Sequence, residues 1–528
     1  MQLQNNNRIL FLEDIKKIKP NLDALKVINR HVAEKAEILF FDLNWKLLNA
    51  LTTNKNILLI NQVKEKVEYK WYKIDFYYTD EESFSYALTW YDYLKNLEDK
   101  AKKEIEELKT ASGVTAISMI KKLYKNKHKY AETDFIKEII RLSFMAWSSD
   151  AHFQPEEDGI WLRIRKDGIL KKILMFTHSE FRKYLLKLKS MSHVRLNVDY
   201  IPQDGRFDFE TEKWGKKIKI DVRVNFMPTL YGESVVMRFL DSSSGIRSFA
   251  EIGFMWKSYE ILQRNIEKPY GMILVTWPTG SWKSTTLYSI LSKLNLPDKK
   301  IITLEDPVEY SLPNIQQSQI NPTKWYTYAE WLKAILRQDP DIIMVWEIRD
   351  LETAKIAINA ALTWHLVLST LHTNTAIEAV SRLINMWVEP FMLAPALNLV
   401  IWQRLVRKLC ECKTKKSASY AEKEDIETNL RKIKNIAPSS IDDISFDGKI
   451  FIPAGCEKCM YEGYTWRIAA VETFELTDDI RDQIIKWANS LQIYKFAREN
   501  WYLTLKEDAY IKMLNGLTTL DEIRRILW

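Results

Sequence analysis

The chain has 528 residues, enough for about three or four domains of ordinary size, each with its own core. Apolar residues make up 46% and charged residues 28%, and the formal charge of +7 is too small for this length to imply a nucleic-acid partner. No run approaches the roughly 18 apolar residues of a membrane span; FMLAPALNLVI at 391–401 is far too short.

The first residues, MQLQNNNRILFLEDIKK, lack a basic stretch leading into an apolar core, so they read as no secretory signal and the expected location is the cytoplasm. Residues 1–90 mix strand-like runs (ILFFDLN, NILLINQV, YKIDFYY) with helical stretches and predict a small α/β domain. LKNLEDKAKKEIEELK at 94–109 pairs opposite charges at i,i+4 over little apolar face, which suits a helical connector over 91–130. A second α/β domain, 131–245, opens at DFIKEIIRLSF, with WLRIRKDGILKKI and KIKIDVRVNF as its clearest strands. The polar, turn-rich DSSSGIRS at 241–248 marks its end.

From 246 to 528 the pattern changes. An apolar strand, GMILVT, leads into TWPTGSWKSTT and then a helix, KSTTLYSILSKL; strands KKIITLE and DIIMVW follow. Strand, loop, helix and further buried strands are the order of a parallel-sheet nucleotide-binding domain. The loop nearly matches G-x-x-x-x-G-K-[ST], whose backbone N–H groups cradle phosphates. Lys283, Ser284 and Gly280 fit, yet both framing glycines are replaced, by Trp277 and Trp282. Tryptophan is also unusually frequent: 19 residues against 14 glycines, and together they approach the usual glycine share of about 7%.

GMILVTWPTGSWKSTTLYSIL, IITLEDPVEY, LRQDPDIIMVWEIRDLETA and TWHLVLSTLHTNTA resemble, in order, the Walker A, Asp-box, Walker B and His-box segments of secretion ATPases. These are the motors of type II secretion and type IV pilus assembly. The likeness runs almost without gaps from about 130 onward; SSDAHFQP (148–155) and IPQDGRF (201–207) resemble the family's second N-terminal, PAS-like domain, and 1–90 its first only loosely. The departures are of one kind. Trp277, Trp282, Trp346, Trp364, Trp402 and Trp466 stand where the family pattern has glycine, and Trp325, Trp387, Trp487 and Trp501 fall where glycine would suit a turn or helix end. One replacement, always the same, points to one codon: UGA, read as tryptophan here but as glycine by its source. The alternative is a degenerate, inactive paralogue, though that chain would be expected to lose Lys283, Ser284 or Glu347 as well.

The resemblance implies an α/β fold, a RecA-like P-loop motor domain preceded by smaller α/β domains, and an ATP hydrolase using ATP and Mg²⁺. Trp277, Pro278, Thr279, Gly280, Ser281, Trp282, Lys283, Ser284 and Thr285 would form the nucleotide loop, with Ser284 on Mg²⁺. Glu347, ending an apolar strand, would polarise the attacking water; an ion pair with Arg349 is its plainer reading. Glu305, in an acidic box with Asp306 and Glu309, would help hold metal or water, and His372 would sense the γ-phosphate. Arg223 and Arg238, on adjacent strands of the second domain, match arginines that reach bound nucleotide; Arg206 is a weaker candidate. The only cysteines, Cys410, Cys412, Cys456 and Cys459, flank a polar helical insertion as C-x-C and C-x₂-C, a donor set for structural Zn²⁺ in an element over 405–465. That element favours assembly or export motors over retraction motors. Implied partners are a homohexamer and an inner-membrane platform protein, with the chain peripheral to the membrane. A retraction or DNA-uptake motor and a non-catalytic scaffold are the alternatives.

Overall fold

The computed structural model describes residues 9–44, 47–53, 57–68, 72–108, 113–213, 216–241, 246–276, 282–320, 328–436 and 445–527. Two compact units emerge, Met1–Ile218 with Val222–Phe239, and Lys219–Asp221 with Leu240–Trp528.

The first unit begins with a three-stranded sheet of β1 (Ile38–Asn44), β2 (Leu47–Thr52) and β3 (Lys73–Tyr78); β2 runs antiparallel to β1 and parallel to β3. NILLINQV is not one of its strands. Residues Ile57–Glu68 form a helix that buries Ile60, Val63 and Val67 against Phe40, Leu48 and Ala50. A short apolar run is ambiguous by itself; the later Val67 completes a helical stripe. The charged stretch from 94 is the second half of a longer helix, Glu81–Leu108. In its first half Phe84, Ala87, Trp90 and Tyr91 pack on Ile15, Leu25 and Leu39.

A six-stranded sheet follows, built from β4 (Ser148–Glu156), β5 (Gly159–Lys166), β6 (Ile169–Phe176), β7 (Gln203–Lys213), β8 (Lys216–Thr229) and β9 (Gly232–Asp241), in the order β6-β5-β4-β9-β8-β7. WLRIRKDGILKKI is a hairpin, not one strand. Asp167 and Gly168 turn it with φ of 48° and 83°, the two positive values that a tight two-residue turn requires.

The second unit is a seven-stranded sheet of β10 (Gly271–Thr276), β11 (Ile301–Glu305), β12 (Gln316–Gln319), β13 (Ile342–Val345), β14 (Leu366–Leu371), β15 (Leu397–Leu409) and β18 (Tyr464–Glu475), ordered β12-β11-β13-β14-β10-β15-β18. Strands β16 (Thr414–Ser417) and β17 (Lys449–Ile452) pair separately. All neighbours in the large sheet are parallel except β15 and β18. Every residue of β10, β11, β13 and β14 is buried, as expected of parallel strands covered on both faces. Met272 and Leu274 face one core and Ile273 and Val275 the other, so helices on both sides hold the sheet. Thr276, Glu305, Val345 and Leu371 therefore end at one common edge, where open α/β sheets bind ligands. Among the described residues, no helix is long and apolar enough to cross a membrane.

Candidate active site

At that edge β10 enters the phosphate-loop sequence. Trp277, Pro278, Thr279, Gly280 and Ser281 lie outside the described residues. Description resumes at Trp282, which caps the helix Lys283–Leu294 in the left-handed region with φ of 61°. Lys283 opens the helix, and Ser284 and Thr285 stand half-buried in its first turn. Further along, Thr286 donates to Gln403 on β15 at 2.9 Å, which fixes the helix against the sheet.

Glu347 sits two residues beyond β13. Its backbone is set by the flanking amides, Trp346 N–H to Leu304 at 2.8 Å and Ile348 N–H to Thr370 at 3.0 Å. Its carboxylate is mostly buried and takes two side-chain partners: Arg349 Nε at 2.7 Å and His372 Nε2 at 3.3 Å. The ion pair with Arg349 is thus present, and so is a contact between Glu347 and His372 just beyond β14. Arg349 also approaches Asp306, at 3.8 Å. One cation links the acidic box to Glu347.

Glu305 behaves differently. It is fully buried at the end of β11, and its oxygens accept from Thr303 Oγ1 at 2.7 Å, Gln317 Nε2 at 2.9 Å and the Tyr288 hydroxyl. Burial and the Glu305 charge push the Tyr288 hydroxyl far above its ordinary pKa, so Tyr288 remains a donor. Both acceptor sites of Oε1 and one of Oε2 are thereby taken, which leaves one on Oε2. Tyr288 lies on the helix that opens at Lys283, so Glu305 already ties the acidic box to that helix.

Arg223 and Arg238 belong to the first unit, on neighbouring strands β8 and β9. Arg238 Nε donates to the buried Asp150 on β4 at 3.0 Å, while the side chain keeps 64% of its surface exposed. Arg223 is half-buried and Arg206, on β7, is exposed.

All four cysteines converge. Their sulfurs lie within 4.8 Å of one another and none is in a disulfide; Cys410–Cys456 is 3.7 Å and Cys412–Cys459 3.8 Å. Four thiolates about 2.3 Å from a tetrahedral zinc ion stand about 3.8 Å apart, so the donor set fits that metal. Burial raises the Cys459 thiol, but the Cys456 and Gly463 amides outweigh it and bring it to about 7. The C-x-C pair, one residue short of the family spacing, closes the cluster.

Of the tryptophans singled out in the sequence, Trp325 lies, like Trp277, outside the described residues. Trp282, Trp364, Trp387, Trp487 and Trp501 have positive φ; Trp346, Trp402 and Trp466 do not. The Trp282 indole packs 5.9 Å from Trp466 and is flanked by the guanidinium groups of Arg247 and Arg467, at 5.5 and 5.3 Å. Sequence reasoning missed these arginines, since neither lies in a motif, and it missed Tyr288, whose role depends on Glu305 at the end of a strand distant in sequence.

The family model described as "Type II/IV secretion system protein" matches residues 126–525. The type IV pilus assembly ATPase PilB of Thermus thermophilus is 41% identical over 395 residues, covering 74% of this chain and 42% of that protein. The type II secretion system protein E of Aeromonas hydrophila is 40% identical, covering 72% of each. The chain thus spans less than half the length of the Thermus relative. Among solved structures, the ATPase DotB of Legionella pneumophila aligns with a TM-score of 0.52 at 19% identity, over 74% of this chain and 94% of that one. DotB of Yersinia pseudotuberculosis aligns at 0.54 and 20%, over 75% and 93%. These two likenesses establish the α/β, RecA-like fold. Family model and relatives together place the chain in the type II/IV secretion system protein family.

Proposed function

We propose that the chain is a Mg²⁺-dependent ATPase that works as a hexameric motor for type IV pilus assembly or type II secretion, docked on an inner-membrane platform protein. One observation carries the catalytic reading: Glu347 is held between Arg349 and His372 at the sheet edge where the Lys283 helix begins. Backbone N–H groups at that helix start suit phosphate, Lys283 offsets its charge, and Ser284 supplies a hydroxyl for Mg²⁺. Bound Mg²⁺ would screen the β- and γ-phosphate oxygens. Glu347 would orient and polarise the attacking water, and His372, sharing a carboxylate with it, would report the γ-phosphate. Arg223 and Arg238 would supply transition-state charge from the first unit. The names of the relatives, pilus assembly and secretion proteins, support the motor role and its membrane platform. The tetracysteine element, with Zn²⁺, is structural in this reading and favours assembly over retraction.

The indole of Trp282 at the helix start favours a second reading, a scaffold that keeps the fold and binds no nucleotide. An ATPase assay separates the two. A full chain with glycine at 277, 282, 346, 364, 402 and 466 should hydrolyse ATP, whereas the tryptophan chain should fail to bind it. Equal nucleotide binding by both chains would show that the indoles do not obstruct the phosphates, and no hydrolysis by either would leave the scaffold.

A further inference from the structure

Left-handed backbone is where L-residues with bulky side chains are least expected; outside glycine it is populated mainly by Asn and Asp. Among the described residues, fourteen non-glycine positions have positive φ, and seven of these are tryptophan. Nothing in the chemistry of indole favours that conformation.

Five of the seven share one local geometry. Trp147, Trp364, Trp387, Trp487 and Trp501 each follow the C-cap residue of a helix, with φ between 59° and 69°. At Trp387 the next amide, Val388 N–H, reaches back to Leu383 at 3.1 Å; at Trp487, Ala488 N–H reaches Gln483 at 3.0 Å. This is the six-to-one closure that ends helices on glycine. The helix Leu505–Leu514 shows the same closure with the expected residue. Gly516 has φ of 66°, and Leu517 N–H reaches Lys512 at 2.9 Å. Packing does not explain the exchange, because Trp364, Trp387 and Trp487 leave 75%, 81% and 65% of their surface in solvent.

The other two, Trp256 and Trp282, stand at helix starts with φ of 49° and 61°. Other tryptophans look native. Trp90 fills a core on a regular helix, and Trp161 lies on β5 with Lys172 Nζ 4.3 Å from its ring.

We infer that the seven left-handed tryptophans, including Trp147 and Trp256, which no motif marks, are glycine in the protein as its own cell makes it, and that Trp90 and Trp161 are tryptophan. The left-handed backbone therefore marks these seven positions independently of any family pattern. At the loop the consequence is direct. Glycine at 282 vacates the space between the Arg247 and Arg467 guanidinium groups beside the start of the Lys283 helix.

Peptide mass mapping of the protein purified from its source cells, read beside its gene, tests this. Glycine is expected in the peptides spanning 147, 256, 282, 364, 387, 487 and 501, encoded by one codon, and tryptophan at 90 and 161 from another. Tryptophan in the peptides spanning 147 or 256 would overturn the backbone rule even if the motif positions proved to be glycine. A stability measurement on the full recombinant chain is the second arm. Trp387→Gly and Trp487→Gly should each raise the folded-to-unfolded ratio by a factor of about five or more, while Trp161→Gly should lower it. A loss of stability at all three positions would remove the conformational argument.

Discussion

His372 Nε2 stands 3.3 Å from Glu347 Oε1, joining the residues just beyond β14 and β13 across the edge where the phosphate-loop helix begins. With Arg349 on the other oxygen, the carboxylate is oriented before any nucleotide arrives. Glu347→Gln keeps the shape and removes the charge. In the glycine-bearing chain it should retain ATP binding and lose turnover by about 10²- to 10⁴-fold, the usual worth of a general base. Unchanged turnover would take Glu347 out of the catalytic role.

The four cysteines predict one tightly held zinc ion per chain. Elemental analysis should find it, and Cys456→Ser should lower both zinc content and the melting temperature. A loss of about 1 kcal/mol would shift melting by roughly 2–4 °C in a unit of this size. Full stability without metal would show that the thiols, clustered as they are, serve no structural site.

Glu472 predicts a pH dependence. This residue of β18 is buried, and its carboxylate accepts from the Ala376 amide at 2.8 Å, the Leu505 amide at 3.2 Å and the Tyr502 hydroxyl. Burial outweighs these donors and raises its pKa from an ordinary 4.5 to about 7. Between those values the native state holds a proton that the unfolded chain has lost. The Glu472 contribution is therefore fully present below 4.5, declines as pH rises, and is gone above about 7. Glu472→Gln should flatten that part of the stability profile; an unchanged slope would show that the carboxyl does not titrate there.

The parallel core was legible because β10, β11 and β13 are buried on both faces and so read as largely apolar runs, GMILVT, IITLE and IIMV. The helix from Ile57 was not, since ILLI alone carries no period and only Val63 and Val67 reveal the stripe. In the proposed site, Lys283, Ser284 and Glu347 are read from their order along the chain. Contacts between elements distant in sequence, such as Glu305 with Tyr288 on the helix or Glu472 with the Ala376 amide, leave no local trace. Trp147 escaped for a related reason: its helix end is defined by the backbone closure from Trp147 N–H to Phe144, not by a motif.

Asp150 accepts from Arg238 Nε, which leaves the terminal nitrogens of an exposed side chain to serve an anion. Lys283 and Glu347 belong to the other unit, so an arginine reaching the nucleotide would make bound ATP a constraint on domain geometry. Loss of such a finger costs on the order of 10³-fold or more in turnover. Arg223→Ala and Arg238→Ala in the glycine-bearing chain should thus collapse kcat while fold, zinc content and assembly persist. Arg238→Lys should recover little, because one ammonium cannot both hold Asp150 and present a second donor fork. A chain beginning near residue 246 should be nearly inactive although it owns the entire phosphate loop. If that shortened chain hydrolysed ATP as fast as the full one, both arginines would be structural and the coupling between the units would have to come from elsewhere.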